Sequence, residues 1–279
     1  MKLKEIFYGL GLRPSVREYP YDLRHVHLGG DGDVEVAIWR HPSVVRRLES
    51  GRAVEVSQRS IDVLRAFLEP GDVAVDIGAH TGDSTLPIAL AVGRSGVVFA
   101  FEPNLYAFKV LLANAGLNCT KTHIIPMNLA ATPHDGTYEF QYSDAGFCNG
   151  GFHQGISPWT HGHFFKLKVT GRHLPTLLAA DFPAESQRIR YVKIDTEGFD
   201  RAVAGSLRDW LVGQRPYLKT EMYKHTPREE REGYYRDLRD LGYTLYRIAD
   251  DDQDYRTHAL DERDLMKWSH FDVFAEPQV

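Results

Sequence analysis

The chain has 279 residues, a hydrophobic content of 43% and a formal net charge of -5. A chain of this length can bury one large α/β core with appendages. Because its net charge is negative and it has no run of lysine and arginine, we expect no nucleic-acid partner. No stretch reaches the roughly 18 apolar residues of a membrane span, and the start is too charged for a secretory signal, so we expect a cytoplasmic protein without a membrane partner.

The chain divides into an N-terminal extension and a larger unit of alternating helices and strands. The first 56 residues match no motif and are candidates for substrate or homo-oligomer contacts, whereas residues 57–279 form the predicted main domain. Apolar residues on one face predict a helix over 57–68, which Pro70 and Gly71 end. The apolar run 73–77 is typical of a parallel strand that is covered on both faces.

A glycine turn follows this first strand. Gly78 and Gly82 bracket the connection to a helix predicted over 84–92. The two glycines lie four positions apart, unlike the G-x-G-x-x-G pattern that brings backbone amides to a dinucleotide pyrophosphate. S-adenosylmethionine has no phosphate, so the spacing favours a methyl-donor site. Asp76, within the strand, is expected either to hold the methionine amino group or to brace the turn.

The second predicted strand ends on an acidic residue. It covers 96–102 and closes on Glu102, which lies 24 positions after Gly78. The carboxyl ends of neighbouring parallel strands line one crevice, so Glu102 can accept both hydroxyls of a ribose. An NAD enzyme would use the same acid, and a nucleotide-binding oxidoreductase therefore stays open as an alternative. A noncatalytic protein that binds S-adenosylmethionine is a further one.

The third helix and third strand complete the first half of the predicted sheet. The helix is predicted over 105–115, and its buried stripe is expected to contain Phe108, Leu111 and Leu112. The strand is predicted over 122–131 and carries Pro126, which indicates a bulge or an irregular stretch. The end of this strand places Asn128 near the crevice.

The alternation pauses between Gly136 and His173. Two strand-like runs, 137–142 and 164–170, flank a loop rich in glycine, aromatic residues and histidine. An insertion of this length at a cofactor edge is usually functional, so we expect it to cover the acceptor, the alternative being a self-packed flap. The aromatic candidates are Phe147, Phe152, Trp159 and Phe164. Three histidines, His153, His161 and His163, match no metal-binding motif.

The helix and strand rhythm returns in the last third of the chain. The predicted elements are a strand that begins at residue 191, a helix over 200–210, a strand over 216–223, a helix over 227–241 and strands over 243–248 and 270–275. The last strand is expected to be antiparallel, as is common at the edge of such sheets. Seven strands with helices on both faces predict an α/β, Rossmann-like fold with a mostly parallel sheet.

Three motifs together resemble the FkbM family of S-adenosylmethionine-dependent methyltransferases. They are Val75-Asp-Ile-Gly-Ala-His-Thr-Gly82, Phe101-Glu-Pro-Asn104 and Val192-Lys-Ile-Asp-Thr-Glu-Gly198. The first two are widespread among class I methyltransferases, whereas the third is more particular. The resemblance covers about 57–277 and implies the sheet order 3-2-1-4-5-7-6, S-adenosyl-L-methionine as cofactor, and methylation of a hydroxyl on a sugar, glycoside or natural product. It places these residues beside the cofactor: Asp76, Gly78, His80, Gly82, Glu102 and Asn128.

Methyl transfer to an alcohol needs positioning and a base. A carboxylate or histidine within hydrogen-bond reach of the acceptor contributes roughly 10²- to 10⁴-fold. The candidates are Asp195, Glu197, Glu221 and His225, all expected to rim the crevice, although Asp195 could instead cap a helix and Glu197 could belong to a plain turn. The alternative is a metal-dependent, catechol-type enzyme in which Asp195 and Glu221 would hold a divalent ion.

Overall fold

A mostly parallel β-sheet forms the centre of the structure, a computed structural model that describes residues 3–50, 56–152, 164–250 and 253–278. Two large apolar clusters, one on each face of this sheet, contain the helices that cover it. The predicted α/β fold with helices on both faces is therefore confirmed. No helix within these four ranges is long and apolar enough to cross a membrane.

The N-terminal extension packs on the main sheet unit through a hairpin. Its elements are α1 (Leu3–Gly9), β1 (Tyr21–Leu28), β2 (Gly32–Trp39) and α2 (Pro42–Glu49). Strands β1 and β2 pair antiparallel. The backbone N–H of Ala37 donates to Asn114 Oδ1 at 2.7 Å, and that of Glu35 donates to Asn118 Oδ1 at 3.0 Å. The side-chain amides of Asn114 and Asn118 thus accept hydrogen bonds from two backbone N–H groups on the edge of β2 that no described strand pairs with.

The first half of the main sheet follows the predicted alternation. Its elements are α3 (Gln58–Arg65), β3 (Val73–Ile77), α4 (Thr85–Val92), β4 (Val97–Phe101), α5 (Leu105–Leu117) and β5 (Ile124–Met127). The predicted stripe of α5 is wrong for Leu112, which is 54% exposed, while Ala107 and Val110 are buried. Ala107 and Val110 are buried because β2 covers their side of α5, and sequence periodicity alone does not reveal this second covered side.

The predicted third strand, 122–131, is in fact two strands in two sheets. Strand β5 is the edge of the main sheet, where Pro126 is tolerated because an edge strand has an unpaired side. The insertion forms a second, four-stranded sheet in the order β6-β9-β7-β8. Its strands are β6 (Ala130–Ala131), β7 (Gly136–Tyr142), β8 (Gly150–Gly151) and β9 (Phe165–Arg172).

The second half of the main sheet completes seven strands within the described ranges. Its elements are α6 (Leu174–Asp181), β10 (Ile189–Ile194), α7 (Asp200–Ser206), α8 (Arg208–Gly213), β11 (Tyr217–Met222), α9 (Arg228–Asp240), β12 (Tyr243–Ile248) and β13 (Phe271–Pro277), with short 3₁₀ turns at Glu185–Gln187 and Glu262–Asp264. The predicted helix over 200–210 is two helices that meet at the buried Leu207.

The strand order places the ends of five parallel strands side by side. The main sheet runs β5-β4-β3-β10-β11-β13-β12, which is 3-2-1-4-5-7-6 when its seven strands are numbered along the chain. Strand β13 is antiparallel to both of its neighbours, as predicted. The order changes direction between β3 and β10, which start crossovers to opposite sides, and ligands of doubly wound sheets bind at such a switch point.

A close backbone approach at the switch point explains Gly78. This residue has φ +79°, and a Cβ built on it would lie 1.8 Å from the carbonyl oxygen of Asp195. The N–H of Asp195 in turn donates to the carbonyl of Ile77 at 3.0 Å. Only a residue without a side chain fits between the two strand ends.

We expect Gly78→Ala to lower the free energy of unfolding by at least about 3 kcal/mol, because the new methyl group collides with backbone and the φ angle is strained. Gly116→Ala is the matched control: Gly116 lies in α5 with open space around its Cα. That change should raise stability by about 0.5–1 kcal/mol. Urea denaturation followed by circular dichroism measures both, and equal stabilities of the two variants would contradict the close-approach argument.

Candidate functional site

A cavity of about 420 Å³ opens at the carboxyl ends of β3, β4, β10 and β11. Its volume lies in the range of small-molecule sites in proteins. Four parts of the chain line it: the two sheet halves, the insertion and the extension. The extension contributes Ile38, Val44, Arg47, Leu48 and Val56.

Glu102 provides the acidic wall on the β4 side of the cavity. Its carboxylate accepts the backbone N–H of His80 at 2.8 Å on Oε2 and that of Asn104 at 2.7 Å on Oε1. Burial raises the pKa of Glu102 above its usual value, while these amides and His80 act in the opposite direction. Each carboxylate oxygen has a further lone pair, so the two oxygens can accept hydrogen bonds from the two hydroxyls of a diol in the cavity.

The glycine turn is held by the end of β4 and by the insertion. The backbone N–H groups of Gly78 and Ala79 both donate to the carbonyl oxygen of Phe101, at 3.0 Å each. His80, with a φ of +49°, lies on the cavity wall, and its Nε2 is 3.2 Å from the carbonyl oxygen of Cys148. A non-glycine residue in this backbone region is uncommon and is characteristic of functional turns.

Three of the predicted cofactor residues lie outside the described lining of the cavity. Asp76 is fully buried and accepts the hydroxyls of Ser84 and Thr85 at 2.8 and 2.7 Å, so the geometry favours its bracing alternative. Gly82 packs against α5, and Asn128 donates to the backbone carbonyl of Glu102 at 2.8 Å. None of these three is among the described residues that line the cavity. They shape the site from outside it.

Lys193 is a site residue to which the sequence pattern assigned no role. Its Nζ lies 3.3 Å from Asp76 Oδ1 and 3.4 Å from Asp195 Oδ2, and its side chain is 7% exposed. Burial alone would lower the pKa of Lys193, but the two carboxylates raise it above its ordinary value. The available signal was its position in the Lys-Ile-Asp motif, between apolar residues of a buried strand.

Acidic residues crowd the other side of the cavity. Asp195, Glu197 and Glu221 all line it, as predicted for the rim of the crevice. Glu197 has a φ of +56°, and burial followed by repulsion from Asp195 raises its pKa. His225 is not among the described lining residues, and its ring instead contacts that of Tyr223, with the ring centres 5.4 Å apart. The role of His225 therefore stays a prediction.

His270 lies where a histidine was expected, but on another strand. Its Nδ1 is 3.0 Å from Glu221 Oε1, and it lines the cavity. Burial raises the pKa of Glu221 to about 8, against the effect of the His270 hydrogen bond. Sequence reasoning could have found this pair, because an antiparallel last strand beside β11 brings residue 270 close to residue 221.

The same region contains a possible set of metal ligands. Glu221, His270 and Asp272 offer ligand atoms that all lie within 4.8 Å of one another, and they are the one such group of three among the described residues. However, the ammonium group of Lys219 is 3.1 Å from Asp272 Oδ2 and already supplies a positive charge. Asp195, the other ligand of the catechol-type alternative, is paired with Lys193 and is not part of this group.

Of the three predicted aromatic residues that the structure describes in the insertion, one lines the cavity. Phe152 lines it and contacts the ring of Phe199, with the ring centres 5.1 Å apart. Phe147 and Phe164 are buried in an aromatic cluster of their own, so the alternative of a self-packed flap holds for them. The remaining residues of the prediction lie outside the described part of the chain: Trp159, His153, His161 and His163.

The mostly parallel sheet, with its crevice at the strand ends, defines the class I methyltransferase fold. The chain belongs to the FkbM methyltransferase family, since the profile described as the methyltransferase FkbM domain matches residues 76–256. This match includes the glycine turn, Glu102, the insertion and the acidic residues after β10. A comparison with curated protein sequences gives no match.

Solved structures of methyltransferases resemble the chain at low sequence identity. An FkbM methyltransferase from Methylobacillus flagellatus KT has 13% identity and a TM-score of 0.46, over 74% of this chain and 44% of that chain, so less than half of its length is matched. An S-adenosylmethionine-dependent O-methyltransferase from Thermotoga maritima has 13% identity and a TM-score of 0.41, over 93% and 78% of the two chains. Fibrillarin, a pre-rRNA processing protein of Methanococcus jannaschii, has 12% identity and a TM-score of 0.44, over 92% and 84%.

We expect Lys193→Met to lower the free energy of unfolding by about 3–5 kcal/mol, because it leaves the fully buried Asp76 without its counter-charge. The double variant Lys193→Met, Asp76→Asn should recover part of this loss. The control is Lys109→Met, which breaks an exposed ion pair with Glu18 and should cost about 1 kcal/mol or less. Denaturant titration of the four proteins, wild type included, measures the differences, and a cost for Lys193→Met no larger than that of the control would refute the argument.

Proposed function

We propose that the protein transfers a methyl group from S-adenosylmethionine to a hydroxyl of a small molecule. The observation that carries this proposal is Glu102, a buried carboxylate on the cavity wall beside a turn without the dinucleotide glycine pattern. The residues present fit the cofactor, because Gly78 lines the cavity without a side chain that would fill it and Glu102 can accept hydrogen bonds from a ribose diol. When bound, S-adenosylmethionine supplies a methyl group on a positively charged sulfur.

The acceptor is proposed to bind on the side of β10 and β11. The cofactor would fill the part of the cavity next to Gly78 and Glu102, so an acceptor must approach from the side of Phe152 and the acidic residues. Aromatic faces cover the C–H surface of a sugar, and carboxylates accept its hydroxyls, which makes a sugar or glycoside the favoured class. The remaining work of the protein is to hold the hydroxyl oxygen in line with the methyl group and to take its proton.

S-adenosylhomocysteine should bind wild-type protein in a calorimetric titration, and Glu102→Ala should weaken this binding at least 10-fold. The reason is the loss of two hydrogen bonds to a charged group, each contributing about 1.5–3 kcal/mol. Glu139→Ala is the control, since Glu139 lies on β7 and pairs there with Lys166 at 2.6 Å. Wild-type affinity in Glu102→Ala would remove the basis of the cofactor assignment. NADH in place of S-adenosylhomocysteine tests the oxidoreductase alternative, for which it would bind tightly.

Phe152→Ala should raise the acceptor KM several-fold while the affinity for S-adenosylhomocysteine changes little, because Phe152 lies on the acceptor side of the proposed site. The assay follows transfer of tritium from S-adenosylmethionine labelled on the methyl group to a panel of methyl glycosides. Phe182→Ala is the matched control. The ring of Phe182 packs on Phe99, and Phe182 is not among the described residues that line the cavity. If Phe152→Ala leaves the KM unchanged for every accepted glycoside, the insertion is not the acceptor wall.

Metal assistance is the second candidate mechanism, favoured by the grouping of Glu221, His270 and Asp272. A divalent ion there would lower the pKa of the acceptor hydroxyl and would replace the base. We expect turnover without it, because Lys219 already neutralises Asp272. Turnover that is lost in a chelator and restored by magnesium would promote the metal-dependent alternative.

A further inference from the structure

His270, which directly precedes β13, lies at the mouth of the cavity with a buried carboxylate behind it. Its side chain is 52% exposed, whereas that of Glu221 is only 7% exposed. Nδ1 of His270 lies 3.0 Å from Glu221 Oε1. A carboxylate that holds one ring nitrogen fixes the orientation and tautomer of an imidazole, which leaves the other nitrogen available for proton transfer.

The sheet fixes the position of Glu221. This residue is opposite Asp272 in the antiparallel pairing of β11 and β13. The backbone N–H of Glu221 also donates to the buried Asp200 Oδ1 at 3.3 Å. His270 lies in the bend directly before β13, where Arg231 donates to the backbone carbonyl of the adjacent Ser269 at 2.5 Å. Side chains on strands are placed more accurately than side chains on loops, so Glu221 is suited to position the ring of His270.

Charged side chains surround His270 in the cavity. Glu221, Glu197 and Asp272 line the same cavity as His270, and the nearby cation is Lys219, whose Nζ lies 3.1 Å from Asp272 Oδ2. A proton that arrives on the imidazole therefore meets the carboxylate of Glu221, 3.0 Å from Nδ1.

We propose that His270 is the general base of the reaction and that Glu221 is the residue that positions it. The inference rests on the proposed methyl transfer. Nε2 of His270 takes the proton of the acceptor hydroxyl as its O–H bond breaks. The hydroxyl oxygen forms a bond with the methyl carbon, and the electron pair of the broken carbon–sulfur bond stays on sulfur. The proton then passes from the exposed side of the imidazole ring to water.

Titration by NMR tests the pairing without any ligand. The ring signals of His270 are identified by their absence in His270→Asn. In the wild type they should titrate above the ordinary value of about 6.5, and in Glu221→Gln they should titrate at lower pH. The control variant Glu229→Gln, on the exposed face of α9, should leave them unchanged. Unchanged signals in Glu221→Gln would overturn the assignment of Glu221.

Rates and binding test the role of His270 with the tritium assay and the methyl glycoside panel. His270→Ala should lower kcat by about 10²- to 10⁴-fold, and added imidazole should restore part of it. Its affinity for S-adenosylhomocysteine should stay within about two-fold of the wild type. His258→Ala, at an exposed histidine outside the cavity lining, should keep the wild-type rate. Wild-type kcat in His270→Ala, or a loss that imidazole does not relieve, would overturn the proposal.

The pH profile separates a positioning role from a structural one. Because the base acts in its unprotonated form, kcat/KM should fall at low pH, and in Glu221→Gln this fall should move to lower pH. A profile that does not move overturns the role of Glu221. Wild-type protein that methylates no member of the panel would instead contradict the proposed function, while the NMR titration still decides the pairing of His270 with Glu221.

Discussion

The site depends on the ion pairs that the buried ammonium group of Lys193 forms with two carboxylates. It lies 3.3 Å from Asp76 within β3 and 3.4 Å from Asp195 at the end of β10. A fully buried carboxylate such as Asp76 is tolerated only with a counter-charge or hydrogen bonds, and here it has both. The same carboxylate accepts hydrogen bonds from the hydroxyls of Ser84 and Thr85 at the start of α4. Asp76 therefore connects β3 to β10 through its ion pair with Lys193 and to α4 through these hydrogen bonds.

The two sides of the cavity differ in how the protein treats its carboxylates. Glu102 is surrounded by amide donors, which is the environment of a carboxylate that binds. On the other side, burial raises the pKa of Glu221 to about 8, with repulsion from Asp195 acting in the same direction. Burial and repulsion from Asp195 also raise the pKa of Glu197. Such perturbed groups in one cleft are characteristic of proton chemistry, and the proposed acceptor lies on that side.

The insertion is attached to the cofactor side by two hydrogen bonds. His80 lies in the glycine turn and pairs with the carbonyl of Cys148, and Asn104, just after Glu102, donates to the carbonyl of Phe147. Phe147 is in turn stacked on Tyr106, at the start of α5, with ring centres 4.9 Å apart. A ligand beside Glu102 would therefore influence the insertion, which carries the proposed acceptor wall.

Sequence reasoning located the strands of the main sheet because a buried parallel strand is a short apolar run with polar ends. It was less successful where a second layer of structure decides the outcome. In α5, Ala107 and Val110 are buried because β2 covers their side of the helix, whereas Leu112 is on an uncovered side and is exposed. The predicted third strand divides because Ala130 pairs with the insertion. His270 was missed because its role appears only when two strands that are distant in sequence become neighbours.

Hydrogen exchange of the protein with and without S-adenosylhomocysteine tests the central claim most directly, that one crevice at the ends of β3 and β4 holds the cofactor. The account predicts slower exchange in peptides that cover 77–84 and 101–104. It also predicts slower exchange at 147–151, through the contacts of His80 and Asn104. Unchanged exchange in 77–84 and 101–104 at saturating ligand, or protection confined to other parts of the chain, would contradict it.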